Sequence, residues 1–145
     1  MEASGVRTNA SITVYNRYID TTTTPPSEAW HSAQIAGVAW ENRKASNTLA
    51  SGGRIQADQA AIYIPKERDA NYLQPREWQA LATKGDYWTL QEGDVIVRGL
   101  VDDVISASFT MTALKRAYND VLTISSVDLY DNGSRSLQHW KVSAG

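Results

Sequence analysis

The sequence predicts an all-β domain: a small antiparallel barrel or sandwich of about seven strands, with one to three short helices and long loops. Three observations predict it. Apolar and polar residues alternate in several short runs, the period-2 signature of half-buried strands. The runs are rich in Val, Ile, Tyr and Trp and are bounded by Gly, Pro, Asn and Asp. Helical spacing is confined to three short segments, and no internal repeat exists.

Residues 1–10 read as a polar N-terminal arm. Ile12 to Ile19 is the first strand, with Ile12, Val14 and Tyr18 on one face and Tyr15 and Ile19 on the other. Thr21 to Pro26 is a loop, because the two prolines remove backbone donors and fix φ. Ser27 to Ser32, which carries Trp30, is expected to form one helical turn. Ile35 to Lys44 is the second strand, with Val38 and Trp40 sharing a face.

Residues 46–58 read as a long mobile loop with a flexible Gly52-Gly53 tip. Leu49 and Ile55 are its only large apolar groups, too few to offset the entropy of ordering it. Ala60 to Ile64 is the third strand, stopped by Pro65. The polar 66–86 segment has Tyr72, Pro75 and Trp78 as anchors, and Pro75 suits the first position of a short helix.

Tyr87 to Gly99 reads as a central β-hairpin: Trp88 and Leu90 alternate with Thr89 and Gln91, Glu92-Gly93-Asp94 turns, and Val95-Ile96-Val97 returns. Thr110 to Tyr118 is the clearest helix. Met111, Leu114 and Tyr118 share a face, and Lys115-Arg116 suits the negative end of the macrodipole. Val121 to Tyr130 is a strand whose apolar parity switches between Ile124 and Val127, so a β-bulge is expected at Ser125-Ser126. Asp131-Asn132-Gly133 is a turn, and Leu137 to Val142 closes the fold.

Bulk properties narrow the function. A chain of 145 residues suggests a single domain, 1–145, large enough to bury a real core. Its net charge is −2, from 14 basic and 16 acidic residues, which gives no overall pull toward nucleic acid or anionic lipid. With no cysteine, disulfides, thiolate catalysis and cysteine-based zinc sites are excluded. The first ten residues lack the apolar stretch of a signal peptide, and no run approaches the roughly 20 apolar residues that span a bilayer, so no membrane partner is expected. Five Trp and seven Tyr against one Phe suit a small β core, or surfaces that are dry on one side and wet on the other.

No catalytic or metal constellation emerges. His31 and His139 lack partners of defined type at motif spacing. Asp102-Asp103, even with Asp94 or Asp120 in reach, reads as a solvated turn, since adjacent strand residues point to opposite faces. Asp128 to Gly133 superficially resembles a calcium loop but lacks the Glu six residues past the glycine. Gly52-Gly53-Arg54 lacks the lysine of a phosphate loop, and Gly133-Ser134 lacks the glycines of a nucleophile elbow. Lys115-Arg116 and Arg135 are too few for a nucleic-acid site. The expectation is a protein that is not an enzyme and takes no cofactor or metal.

The order and spacing of three groups of segments carry a family likeness over roughly residues 12–142. The first is Ile12-Thr13-Val14-Tyr15-Asn16-Arg17-Tyr18, a loop, and Gly37-Val38-Ala39-Trp40-Glu41. The second is Ala61-Ile62-Tyr63-Ile64-Pro65, a polar segment, and Gly93-Asp94-Val95-Ile96-Val97-Arg98-Gly99. The third is Val121 to Asp128, then Asp131-Asn132-Gly133-Ser134 and His139-Trp140-Lys141-Val142.

In this order the chain resembles the head–tail joining proteins of tailed bacteriophages, also called head-closure, stopper or minor capsid connector proteins. The resemblance implies a small β-barrel that forms a homo-oligomeric ring, expected to be a hexamer, in the virion neck after synthesis in the host bacterial cytoplasm. Implied neighbours are the portal or adaptor protein on one side and a tail terminator or tail tube protein on the other, with packaged DNA in the channel. Candidate loop and interface residues are Leu49, Ser51, Gly52, Gly53, Arg54 and Ile55, with Tyr72 and Trp78 beside them. Tail termination, another capsid or tail role, and a carbohydrate-binding module that stacks sugars on exposed Trp and Tyr are the alternatives.

Overall fold

A computed structural model describes residues 8–48, 54–134 and 137–145, with residues 43–48, 54–58 and 69 described by backbone alone. Six strands carry the fold: β1 (Ala10–Asp20), β2 (Ser27–Thr48), β3 (Arg54–Pro65), β4 (Val95–Arg98), β5 (Val121–Tyr130) and β6 (His139–Ala144). They close into a barrel in the order β1-β2-β3-β6-β5-β4, and every pairing is antiparallel. Two short helices, α1 (Pro75–Gln79) and α2 (Met111–Ala117), and a 3-10 turn at Lys66–Asn71 complete the chain.

Alternation along the strands fills the barrel. Ile12 and Val14, Val38 and Trp40, Ile62 and Ile64, Ile96, Leu122 and Ile124, and Trp140 and Val142 all point inward and are buried. The opposite face of β1 and β4 is buried as well. Tyr15, Val95 and Val97 meet Leu114 of α2, and the 101–109 loop packs around them. Thr110 starts α2 by accepting from the Ala113 N–H (3.2 Å), which satisfies one of the donors a helix N-terminus leaves open.

The bulge expected at Ser125-Ser126 is present: the β5–β6 register shifts between Ile124 and Ser126. The extra residue restores parity, so Val127 and Leu129 stand opposite Val142 and Trp140 on the inward side. Gly133 has φ +83°, as the turn there requires.

Four expectations are corrected. Ser27–Ser32 is strand rather than helical turn, and pairs with Asp20 back to Tyr15, because the Thr21–Pro26 turn returns the chain onto β1. The first arm of the expected 87–99 hairpin is not a strand. Trp88 makes a single parallel bridge to Tyr72, and Trp88 and Leu90 turn into the barrel end as a plug, so the described residues hold six strands. Of the expected 46–58 loop, Ser46–Thr48 and Arg54–Asp58 are strand, since Ser46–Thr48 pairs with Arg54–Gln56 and the strands continue inward from there, while residues 49–53 lie outside the described residues. Of the expected 1–10 arm, Ala10 already belongs to β1, and the Asn9 side chain bonds both backbone groups of Trp40 (2.8 and 3.2 Å). Residues 1–7 lie outside the described residues.

The second cluster has a measurable consequence. Tyr15 Oη donates to the Asp103 carbonyl (2.7 Å), and Tyr118 Oη donates to the Asp103 carboxylate, so one residue ties the 101–109 loop to β1 and α2. Burial, then the nearby Asp103 charge, pushes the Tyr15 phenol from 10.0 up to about 12. The folded state therefore holds this proton more tightly than the unfolded chain. Tyr15 contributes stability that is fully present below pH 10 and is lost as pH rises toward 12. Tyr15→Phe flattens that alkaline decline, which urea unfolding across this range measures; an unchanged decline refutes the assignment.

Candidate interaction surfaces

The length of β2 sets the first surface. Its partner β1 ends beside it at Ala10↔Val38, and β6 ends beside β3 at Ala144↔Ala60. From Arg43↔Gln59 to Thr48↔Arg54, β2 and β3 pair only with each other among the described residues. Six cross-strand pairs thus run beyond the barrel as a two-stranded arm of about 20 Å, at about 3.3 Å per residue. Among the described residues no third strand pairs with either outer edge of this arm.

The second surface lies at the far end, where β3 and β5 finish and β6 begins. Tyr72, Trp88 and Trp140 meet there with ring centroids 4.6–6.0 Å apart in tilted and edge-on geometry, closing the barrel mouth. Outside them runs a groove of about 490 Å³ whose walls include Leu73, Pro75, Val127 and Leu129, with Lys66 and Glu77 at its sides. Leu129 is 48% exposed, and Tyr130 and Leu137 beside it are similarly open. His139 stacks on Tyr130 (5.0 Å) and meets Tyr63 edge-on (5.7 Å), and its Nδ1 donates to the Leu137 carbonyl (3.0 Å).

A third surface is the loop over β1 and β4. Leu100 and Val104 protrude from it at 52% and 67% exposure. Asp102 accepts from Gln34 (3.0 Å), and Val101 N donates to Thr13 Oγ1 (2.9 Å), so the loop backbone is fixed to the barrel wall. Asp103 is a structural clamp, so the Asp102-Asp103 pair is more than a solvated turn.

Among the described residues the one buried acid, Asp94, serves the fold. Asp94 is 1% exposed and accepts from Asn16 Nδ2 (2.7 Å), the Arg17 N–H (3.0 Å) and Gln91 Nε2 (3.1 Å). Asn16 in turn bonds both backbone groups of Thr89 (2.8 and 3.1 Å), which holds the plug segment in the barrel mouth. Burial raises the Asp94 pKa, against the lowering effect of these hydrogen bonds. His31 Nε2 donates to the Gly85 carbonyl (2.7 Å), also an architectural contact. Among the described residues no three His, Asp or Glu side chains gather to hold a metal ion, and no helix is long and apolar enough to cross a membrane.

The expected interface residues divide. Leu49, Ser51, Gly52 and Gly53 lie outside the described residues. Arg54 and Ile55 pair with Thr48 and Asn47 at the outer end of the arm. Tyr72 is half-buried in the aromatic triad. Trp78 is a correction: it is fully buried under Tyr18 and Lys84, donates its Nε1–H to the Tyr87 carbonyl (3.0 Å), and offers no surface for a partner or a sugar. Sequence reasoning passed over Leu100, Val104, Leu129, Tyr130 and Leu137. The available signal was the parity switch in β5, which sends Leu129 inward at a point where the barrel has already ended.

The chain matches the family DUF6751, described as a family of unknown function, over residues 7–145. No curated protein and no solved structure matches it significantly.

Proposed function

Since the chain belongs to the DUF6751 family, a family of unknown function, its role has to come from its architecture, and we propose that it is a ring-forming structural protein of a tailed-phage neck. In this role it joins the portal or adaptor to the tail and helps to retain packaged DNA. The observation that carries the proposal is the β2–β3 arm. Six strand pairs run past the last partners of β1 and β6, which suits a segment that reaches a neighbouring molecule. The closed barrel behind the arm gives it a rigid base. The segment order that resembles head–tail joining proteins supports the same reading.

Two measurements test it. Mass spectrometry of purified particles finds the chain in the virion, and cryo-microscopy finds its density as a ring between portal and tail. Absence from particles overturns the proposal, and density on the tail tube alone converts it to a tail-terminator role. Replacing residues 45–57 by a two-glycine turn leaves the unfolding midpoint nearly unchanged, because the barrel core is untouched. Particles built with that variant lose tails or DNA at least tenfold more often. Normal infectivity of such particles refutes a role for the arm.

A further inference from the structure

Asn132 is the one asparagine in the chain that precedes a glycine. Asn132 and Gly133 lie between β5 and β6 in irregular backbone, and both are exposed. Gly133 has φ +83°, and a side chain placed there would meet only Leu137 Cδ1, at 3.8 Å, so the backbone is open to approach. Gln138 Nε2 donates to the Gly133 carbonyl (3.1 Å), but among the described residues nothing bonds the Asn132 amide or the Gly133 N–H. The other asparagines differ. Asn16 is buried and bonds Thr89 through both ends of its amide. The Asn9 amide is engaged by both backbone groups of Trp40, and Asn42 accepts from the Trp40 indole (2.8 Å). Asn47, Asn71 and Asn119 precede Thr48, Tyr72 and Asp120, whose side chains crowd the nitrogen that would have to react.

We infer that Asn132 is a site of spontaneous deamidation in the folded protein. The Gly133 backbone nitrogen loses its proton and attacks Asn132 Cγ. A five-membered succinimide closes as the new N–C bond forms, the bond to the side-chain nitrogen breaks, and that nitrogen leaves as ammonia with the proton. Water then opens the ring. Opening at Cγ leaves an aspartate in a normal backbone. Opening at the α-carbonyl leaves an isoaspartate, with the chain routed through the side chain and lengthened by one methylene. Both products add a negative charge beside Asp131, on the turn next to the exposed Tyr130 and Leu137. This face thus records the age of each copy, whatever the protein's role in a ring.

The full-length protein is held at mildly alkaline pH, and its tryptic fragments are followed by mass spectrometry. Fragment 117–135 carries both Asn119 and Asn132, so the exposed Asn119 is a control within the same peptide. Asn132 converts roughly tenfold faster than Asn119 or more, because only glycine presents an uncrowded nitrogen. Part of the product accepts a methyl group from isoaspartyl methyltransferase. Asn132→Gln stops the change at this position, since the longer side chain has to close a larger ring. Equal rates at Asn119 and Asn132 overturn the inference, and so does continued conversion at position 132 in the glutamine variant. A parallel sample unfolded in urea covers the remaining case. Conversion there with none in the folded protein shows that the turn protects the site, and no conversion in either sample shows that the pair is inert; both results overturn the inference.

Discussion

Trp78→Ala lowers the unfolding free energy by about 3–5 kcal/mol, the range for emptying a fully buried indole site. Trp78 is 0% exposed. Tyr18 meets it edge-on at 5.9 Å, and the Lys84 ammonium lies 4.6 Å from its ring centre while donating to the Trp78, Gln79 and Leu81 carbonyls. Removing the indole therefore empties a cavity, frees the Tyr87 carbonyl and strips the lysine of a π-face at once. Trp78→Phe keeps most of the packing and loses the Nε1–H bond, at a cost of about 1–2 kcal/mol. Urea unfolding separates the two. A loss below about 1 kcal/mol for Trp78→Ala would mean that the 75–87 segment is not anchored by this residue.

Asp94→Ala is the second large effect, at about 3 kcal/mol, because the Arg17 N–H and the Gln91 amide lose their buried acceptor and Asn16 loses one of two. Asp94→Asn has a distinct signature. Burial raises the folded pKa of Asp94 above its ordinary 3.8, so the folded state binds this proton more tightly than the unfolded chain does. Stability from this group is greatest at acid pH and declines as pH rises from 3.8 through the folded value. Asn does not titrate, so the stability difference between wild type and Asp94→Asn shifts against wild type over that interval. A pH-independent difference, measured from unfolding midpoints, would show that Asp94 ionises in the fold as it does in the unfolded chain.

The same residues explain how much was legible in the sequence. Period-2 alternation found β1, β3, β5 and β6 because each has one face turned into the barrel, and the parity switch located the bulge between Ile124 and Ser126. Helix α2 was legible because its buried face, Leu114, sits on an amphipathic stretch with Thr110 ahead of it. Trp88 and Leu90 misled because a plug and a strand both alternate; what separates them is a neighbouring strand, which local sequence does not encode. Ser27–Ser32 misled for the related reason that pairing with β1 overrides weak local preference. The arm was hidden because Ser46–Thr48 and Arg54–Asp58 hold a single large apolar residue, Ile55, and so show no apolar period. Asp94 read as a turn residue, and its burial depends on Asn16, which lies far away in sequence.

Barrel closure also orders events in time. The β1–β2 and β2–β3 pairings join strands that are neighbours in the chain. The seams that complete the ring, Ile12 with Arg98 and Ala60 with Ala144, join residues separated by most of the domain. Bringing such distant ends together costs roughly 2 kcal/mol more in chain entropy than closing a short hairpin. β4 recovers little of that cost by itself, since it is four residues long and pairs through four residues on one side and three on the other. The meander of β1, β2 and β3 is thus the part of the chain that can assemble first. The β4 seam is where the finished ring opens most readily, so its amides are expected to exchange with solvent ahead of those in the centre of β2.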